Sequence, residues 1–429
     1  MDDTENENNF LLKILRILLI SAPFLFTLIY IPQFVFPGSF GRTIFLYIAV
    51  SITLVLWLLY SFKQGRITIQ KNWLTIAILG YIATLFISGI AGGHFEYAFF
   101  GTFGRMTGIV TMLYISFWYL VASSILQKRD WVYLLRLLLL SGAILAIISF
   151  LNLNGLDIEF FDFLTQGGSL FANNTFSGIY YLFAFFFGVI LFFQEKSWKW
   201  RTAYISAMFV ILINPDIFNF QILQNLGMIK NIFNNPTIVL GTARASSAVV
   251  GLGIILTLAI YIIHKIRISV AIKSILFSLI LLGLVCTSVV FLRSTISQKG
   301  PGADLFASQN DIHRPAIWRQ SVGGFFNKPL LGYGINNFEY AFQDTLSPEI
   351  SFIAGSNWSD KAHNIWLDLL LETGILGTLS VIILFLLICW EGFKQYRRDG
   401  DFSTPIVMLL FVLHLIQIQT SFNTNTSLF

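Results

Sequence analysis

The stretch Val270-Ala-Ile-Lys-Ser-Ile-Leu-Phe-Ser-Leu-Ile-Leu-Leu-Gly-Leu-Val-Cys-Thr-Ser-Val-Val-Phe-Leu292 carries one charge, Lys273, in an otherwise apolar run. At a rise of about 1.5 Å per residue, about 20 such residues cross the hydrocarbon core of a bilayer. Comparable runs cover roughly 11–31, 43–62, 73–91, 108–126, 131–151, 173–193, 201–213, 245–263, 365–390 and 404–421. Hydrocarbon offers no partner to backbone polar groups, so each run must satisfy its own as a helix. The expected fold is all-α: a polytopic integral membrane helix bundle of about eleven transmembrane helices. The run at 201–213 is short, and residues 214–244 after it are a candidate re-entrant segment.

Composition points the same way. Of the 429 residues, 56% are hydrophobic and 11% charged, and the mean hydropathy is +0.74. A soluble domain carries roughly a quarter charged residues. The apolar runs recur along most of the chain, so residues 1–429 read as one membrane domain. The net charge of +5 does not indicate nucleic-acid binding, because the basic residues sit in short loops between apolar runs. Cys286 and Cys389 both lie inside such runs, and no disulfide framework or zinc spacing exists. Residues Met1 to Asn9 are acidic and the following run lacks a cleavage pattern, so the first helix is expected to remain uncleaved.

Orientation follows from the cations. With the N-terminus inside, 17 of the 27 Lys and Arg residues fall on the inner side, crowded into short loops, and 10 fall outside. The positive-inside rule therefore puts the N-terminus in the cytoplasm. The segment 293–362 becomes one large extracytoplasmic loop, joined outside by 92–107, 152–172 and 214–244. A loop of about 70 residues in a bundle is commonly functional or disordered. This one holds Trp318, Phe325, Phe326, Tyr333, Phe338, Tyr340 and Trp358, too many aromatics for a solvated linker. Short helices are expected in it. Pro315 suits a first helical turn, so His313–Asn327 reads as one, with Ile317, Val322 and Phe325 on a face beside Trp318. Such a helix would lie on the bilayer or cap the bundle. Pro329-Leu-Leu-Gly-Tyr-Gly334 ends it in a tight turn.

Three segments carry a family signal. Arg314-Pro-Ala-Ile-Trp318 is followed by Asn327-Lys-Pro-Leu-Leu-Gly-Tyr-Gly-Ile-Asn-Asn-Phe338. Ala362-His363-Asn364-Ile-Trp-Leu runs on through Leu371-Glu-Thr-Gly-Ile-Leu-Gly377, and Gly241-Thr-Ala-Arg244 opens a span. Together they resemble the O-antigen ligase and polymerase superfamily of bacterial envelope glycan enzymes. That family shows an Arg, a Trp soon after, Pro-Leu-Leu-Gly-x-Gly and an aromatic. It then has a His-Asn pair before Glu-x-Gly-x-x-Gly, and a Ser-Arg-Gly at a helix start. Gly101-Thr-Phe-Gly-Arg105-Met-Thr-Gly108 and Leu170-Phe-Ala-Asn173 resemble two weaker elements, the second lacking the family's proline. The family-like core is 241–380. Ala243 and Ala245 depart from the pattern around Arg244, and the chain stops at Phe429 where family members often continue through another helix.

The resemblance implies an inverting glycosyltransferase of the bacterial plasma membrane, acting at its outer face without a metal or other cofactor. Its donor would be a polyprenyl-pyrophosphate-linked glycan and its acceptor a hydroxyl on a glycan, a lipid or a protein. Ligation to a lipid A core, polymerisation of repeat units and transfer to protein share this architecture. Breaking a pyrophosphate ester calls for fixed cations where negative charge grows, and a guanidinium matches phosphate oxygens better than an ammonium. Arg244 and Arg314, with Arg105, are the candidates. A base must take the acceptor's proton, and His363 is the candidate. Trp318, Asn364 and Asn173 are expected on the substrate side.

Each residue also has a plain reading. Arg244 and Arg105 could be interfacial anchors whose heads snorkel to water. Arg314 could be a solvated loop residue, Arg319 a structural or lipid-facing one, and His363 an interfacial polar side chain. His313, beside Arg314, is the reserve base. Glu372 either supports the site or steadies a helix start by its charge. A rival of another class is a transporter or flippase for a lipid-linked anionic substrate. Transporters usually show internal repeats and charges at mid-membrane, and this chain shows neither plainly. A scaffold of envelope assembly is the third reading.

Overall fold

The computed structural model describes residues 10–31, 33–67, 69–153, 170–171, 173–214, 244–308, 313–345 and 359–421. Each of the eleven expected spans coincides with a helix, and no described residue is in a strand. Nine of the described helices are long and apolar enough to cross a membrane, the last of them, Ser403–Thr420, reaching 18 residues with a closing 3-10 turn. The two that fall short are Ile109–Ile125, with 17 residues, and Trp198–Leu212, with 15. At ~1.5 Å per residue a helix of that length stops short of the ~30 Å hydrocarbon layer. The protein is thus a multi-pass, all-α membrane protein. The candidate re-entrant segment lies almost wholly outside the described residues.

The chain divides into two compact units. One comprises Met1–Lys71, Tyr114–Ile255 and Thr424–Phe429; the other comprises Asn72–Leu113 and Leu256–Asn423. In the first unit, α1 (Phe10–Leu28) packs on α2 (Phe40–Lys63), and α6 (Lys128–Leu153) packs on α1, α7 (Asn174–Gln194) and α8 (Trp198–Leu212). Leu15, Leu19, Leu46 and Val50 fill its core with Val121 and Ala122 of α5 (Ile109–Ile125). Gly142 lets α6 approach α7 closely, since a Cβ there would come 2.5 Å from that of Ala184. Close approach over small residues is how helices gain contact where lipid removes the hydrophobic drive between them. Arg42, 1% exposed, donates to the carbonyls of Thr27 and Leu170, both at 3.1 Å.

The second unit holds α3 (Trp73–Gly92), α4 (Phe95–Phe100), the first turn of α5 and the second half of α9 (Arg244–Lys265). It continues through α10 (Val270–Ile296), α11 (Pro301–Ser308), α12 (His313–Asn327), α13 (Phe338–Asp344), α14 (Ile365–Asp399) and α15 (Ser403–Gln417). α14 is its spine, packed on α3, α12 and α15. α10 exposes Leu279, Leu282 and Val289, a face that water would not tolerate and lipid tails solvate. α12 starts and stops where Pro315 and the Asn327–Pro329 break predict. Its most buried residues are Ala316, Trp318, Gln320, Ser321 and Gly324, however, with Ile317 and Val322 only partly buried. The helix caps α14 through small and polar residues, and Gln320 donates to the Phe342 carbonyl at 2.8 Å.

A break in α14 fixes the neighbourhood of the site. The helix is interrupted at Gly374, where φ is 62° and ψ −164°, a region open essentially to glycine alone. The freed backbone groups are met by the Pro329–Gly334 turn. The N–H groups of Tyr333 and Gly334 donate to the carbonyls of Leu371 (3.1 Å) and Glu372 (2.6 Å). In return, Ile375 and Leu376 donate to Pro329 (2.8 Å) and Leu330 (3.3 Å). Contact is so close that a Cβ on Gly374 would lie 2.4 Å from the Leu330 carbonyl carbon, and one on Gly332 2.5 Å from that of Glu372. Ser88 of α3 closes the joint by donating to the Leu331 and Glu372 carbonyls, at 2.6 and 3.0 Å.

Candidate functional site

The loop before α5 is drawn tight by two glycines. A Cβ on Gly108 would fall 2.4 Å from the Gly101 nitrogen, so only glycine lets the ends of the Gly101–Gly108 loop meet. Thr107 secures the loop by donating to Asn336 Oδ1 at 2.8 Å. Arg105 stands on it. Its Nε and Nη2 grip the two oxygens of Asp360, at 2.8 and 3.2 Å, in the bidentate geometry that suits a guanidinium to a carboxylate. Burial by itself would raise Asp360, but the hydrogen bonds and charge of Arg105, with Lys361 and His363 behind, outweigh it. Its carboxyl is held below the usual carboxylate range.

Asp360 begins the turn that leads into α14. Ala362 is pinned on both sides, its carbonyl by the Trp318 indole N–H at 2.9 Å and its N–H by Asp368 Oδ1 at 2.7 Å. Lys361 runs inward and pairs with Glu372, Nζ to Oε1 2.5 Å, the two side chains only 11% and 5% exposed. Burial works against the Lys361 charge. Glu372, Asp368 and Asp360 more than offset this, and its pKa is raised. Asn364 caps α14: its Oδ1 accepts from the N–H groups of Trp366 (3.0 Å) and Leu367 (3.3 Å), and its Nδ2 donates to the Gln419 carbonyl at 3.0 Å.

His363 sits between these anchors with φ at 56°, a left-handed backbone costly for a residue with a Cβ. Its Nδ1 lies 3.1 Å from the Lys361 carbonyl oxygen. A carbonyl only accepts, so Nδ1 carries the proton and Nε2 carries the basic lone pair. Burial is the chief influence on the ring and pushes its pKa below the ordinary imidazole value. The Lys361 hydrogen bond and Asp360 pull it back, while Arg314 and Arg105 press it down. The ring is therefore mostly neutral at neutral pH. Chemically, the arrangement offers an imidazole whose charge state responds to two guanidinium groups.

The second unit thus brings together five of the seven residues singled out above: His363, Arg314, Arg105, Trp318 and Asn364. Trp318 is fully buried and Asn364 spends both ends of its amide on the protein, so these two act on the His363 turn from within. Arg244 opens α9 and Asn173 caps α7, its Oδ1 accepting from Thr175 N–H at 2.8 Å. Both belong to the first unit, and the Arg244 side chain is outside the described residues. Gly241–Ala243 and Trp358 also lie outside them. Asp360 and Lys361 escaped the sequence reading. Their only local signal is position, directly before Ala362-His363-Asn364. Among the described residues, no three His, Cys, Asp or Glu side chains group as a metal site.

Residues 236–382, which contain the Arg314–Trp318, Pro329–Gly334 and His363–Gly377 segments, match the O-antigen ligase family. Through this segment the chain is similar to the O-antigen ligase superfamily. It is also similar to two curated proteins of Acinetobacter baylyi. One is a general O-oligosaccharyltransferase, 29% identical over 105 residues, which are 24% of this chain and 18% of the relative. The other is a ComP-specific O-oligosaccharyltransferase, 27% identical over 100 residues, 23% of this chain and 18% of the relative. The chain thus aligns with about a fifth of the length of these curated relatives.

Proposed function

We propose that the protein transfers a glycan from a polyprenyl-pyrophosphate carrier to an acceptor hydroxyl at the extracytoplasmic face of the bacterial plasma membrane. The observation that carries this is the His363 imidazole, held through Nδ1 on the Lys361 carbonyl and within the electrostatic influence of Arg105 and Arg314. Its Nε2 takes the acceptor proton as the hydroxyl oxygen attacks the anomeric carbon. The bond from that carbon to the pyrophosphate oxygen breaks in the same displacement, which inverts the anomeric centre. Polyprenyl pyrophosphate leaves with the electron pair, and the guanidinium groups of Arg105 and Arg314 stabilise its growing charge. The chemistry uses side chains alone, without a metal or cofactor. The acceptor is a lipid A core sugar, a glycan repeat unit or a protein hydroxyl; the names of the two relatives favour including the last.

The test uses purified protein in detergent with a polyprenyl-pyrophosphate-linked oligosaccharide and each acceptor class, in EDTA. We expect release of polyprenyl pyrophosphate that depends on an acceptor, persists in EDTA and is lost in His363→Ala. Donor that stays bound and intact with every acceptor would instead make the protein a carrier. Full activity of His363→Ala would remove His363 as the base.

A further inference from the structure

The turn that presents His363 rests on a buried ion pair that the proposed chemistry does not use. Lys361 and Glu372 meet at 2.5 Å with side chains 11% and 5% exposed. The main-chain oxygen of Lys361 also holds His363 Nδ1, at 3.1 Å, and accepts from the Ser359 hydroxyl at 2.6 Å. Glu372 is the residue whose carbonyl accepts from Gly334 N–H and Ser88 at the Gly374 break. A single side-chain contact therefore links the peptide that orients the imidazole to the joint where the Pro329–Gly334 turn crosses α14.

We propose that Lys361 and Glu372 are positioning residues, which set the place and tilt of the His363 ring against Arg105 and Arg314. This rests on the transferase reading of the same site. The energetics separate positioning from mere stability. Desolvating both ions offsets most of their attraction, and apolar residues of similar volume often hold such a place as well or better. A pair serving only the fold would tolerate that exchange. A pair that sets the geometry of a base would not, because small displacements of a catalytic group cost rate steeply.

The decisive variant is Lys361→Met/Glu372→Met in the full-length protein, with Lys361→Glu/Glu372→Lys as its partner. Thermal melting, donor KM, turnover and the rate of His363 carbethoxylation by diethyl pyrocarbonate are followed together. The methionine pair should melt near the wild-type temperature and keep donor KM within about twofold, yet lose at least tenfold in turnover, about 1.4 kcal/mol of barrier. Its His363 should react with the reagent at an altered rate. The charge-swapped pair should recover much of the turnover. Wild-type turnover in the methionine pair overturns the proposal. If that pair does not fold, a folded charge swap no more active than Lys361→Met overturns it. Should the wild type release no polyprenyl pyrophosphate at all, the transferase reading falls separately. Unchanged His363 reactivity in the methionine pair would then overturn the positioning role as well.

Discussion

At His363 two opposing sets of neighbours decide the titration. Asp360 and the Lys361 carbonyl favour the imidazolium, while burial, Arg314 and Arg105 disfavour it, and the second set wins. The proposed base acts when neutral, so rate should hold at neutral pH and fall only on acidification below the ordinary histidine range. Replacing neighbours should move that acid limb in opposite directions. Asp360→Asn removes a charge that raises His363 and shifts the limb to lower pH; Arg314→Ala removes one that lowers it and shifts the limb upward. A pH–rate series on polyprenyl pyrophosphate release reads both, and limbs that stay put in both variants would exclude His363 as the titrating group. His363→Ala itself should cost about 10²–10⁴ in turnover, the usual worth of a general base.

The interlock of two elements, the Pro329–Gly334 turn and α14, makes a different kind of claim. Gly374 combines a backbone conformation closed to other residues with a carbonyl carbon 2.4 Å from where its Cβ would stand. Gly374→Ala should therefore lower stability by at least the ~1–3 kcal/mol of backbone strain, with the clash in addition. Loss of the joint should also displace Glu372, so activity should fall further than melting temperature suggests. Gly323 is the control. It lies within α12, exposed, and a Cβ added there would meet nothing within 4 Å. Gly323→Ala should be neutral or stabilising by about 0.5–1 kcal/mol through helix propensity. Thermal melting in detergent compares the two, and equal effects would mean that the break is not a structural joint.

For the whole molecule the leading claim is orientation. By the positive-inside rule, the cation distribution predicts an N-terminus in the cytoplasm and the segment after α10 outside. With Cys286→Ala/Cys389→Ala as background, Ser297→Cys should react with a membrane-impermeant maleimide in intact cells. Lys63→Cys should react only after permeabilisation. Both positions are exposed, so labelling reports sidedness rather than burial. The reverse pattern would put His363 on the cytoplasmic side and contradict the proposed reaction.

Hydropathy and cation spacing were enough to read an all-α membrane bundle, most helix boundaries and the short helix at His313–Asn327. These depend on local properties: an apolar run must be helical in lipid, and Pro315 favours a helix start. The family segments also pointed to His363, Arg105 and Arg314. What no local pattern contains is who meets whom. Asp360 reaches Arg105 across 255 positions of chain, and Lys361 meets Glu372 across the start of a helix. The glycines at 332 and 374 looked like turn and helix-start signals, but their use is to let two backbones touch. Trp318 and Asn364, expected on the substrate side, also hydrogen-bond the protein at the Ala362 and Gln419 carbonyls. Such pairings come from long-range packing, which alone decides whether a charged or aromatic side chain faces a neighbour or the solvent.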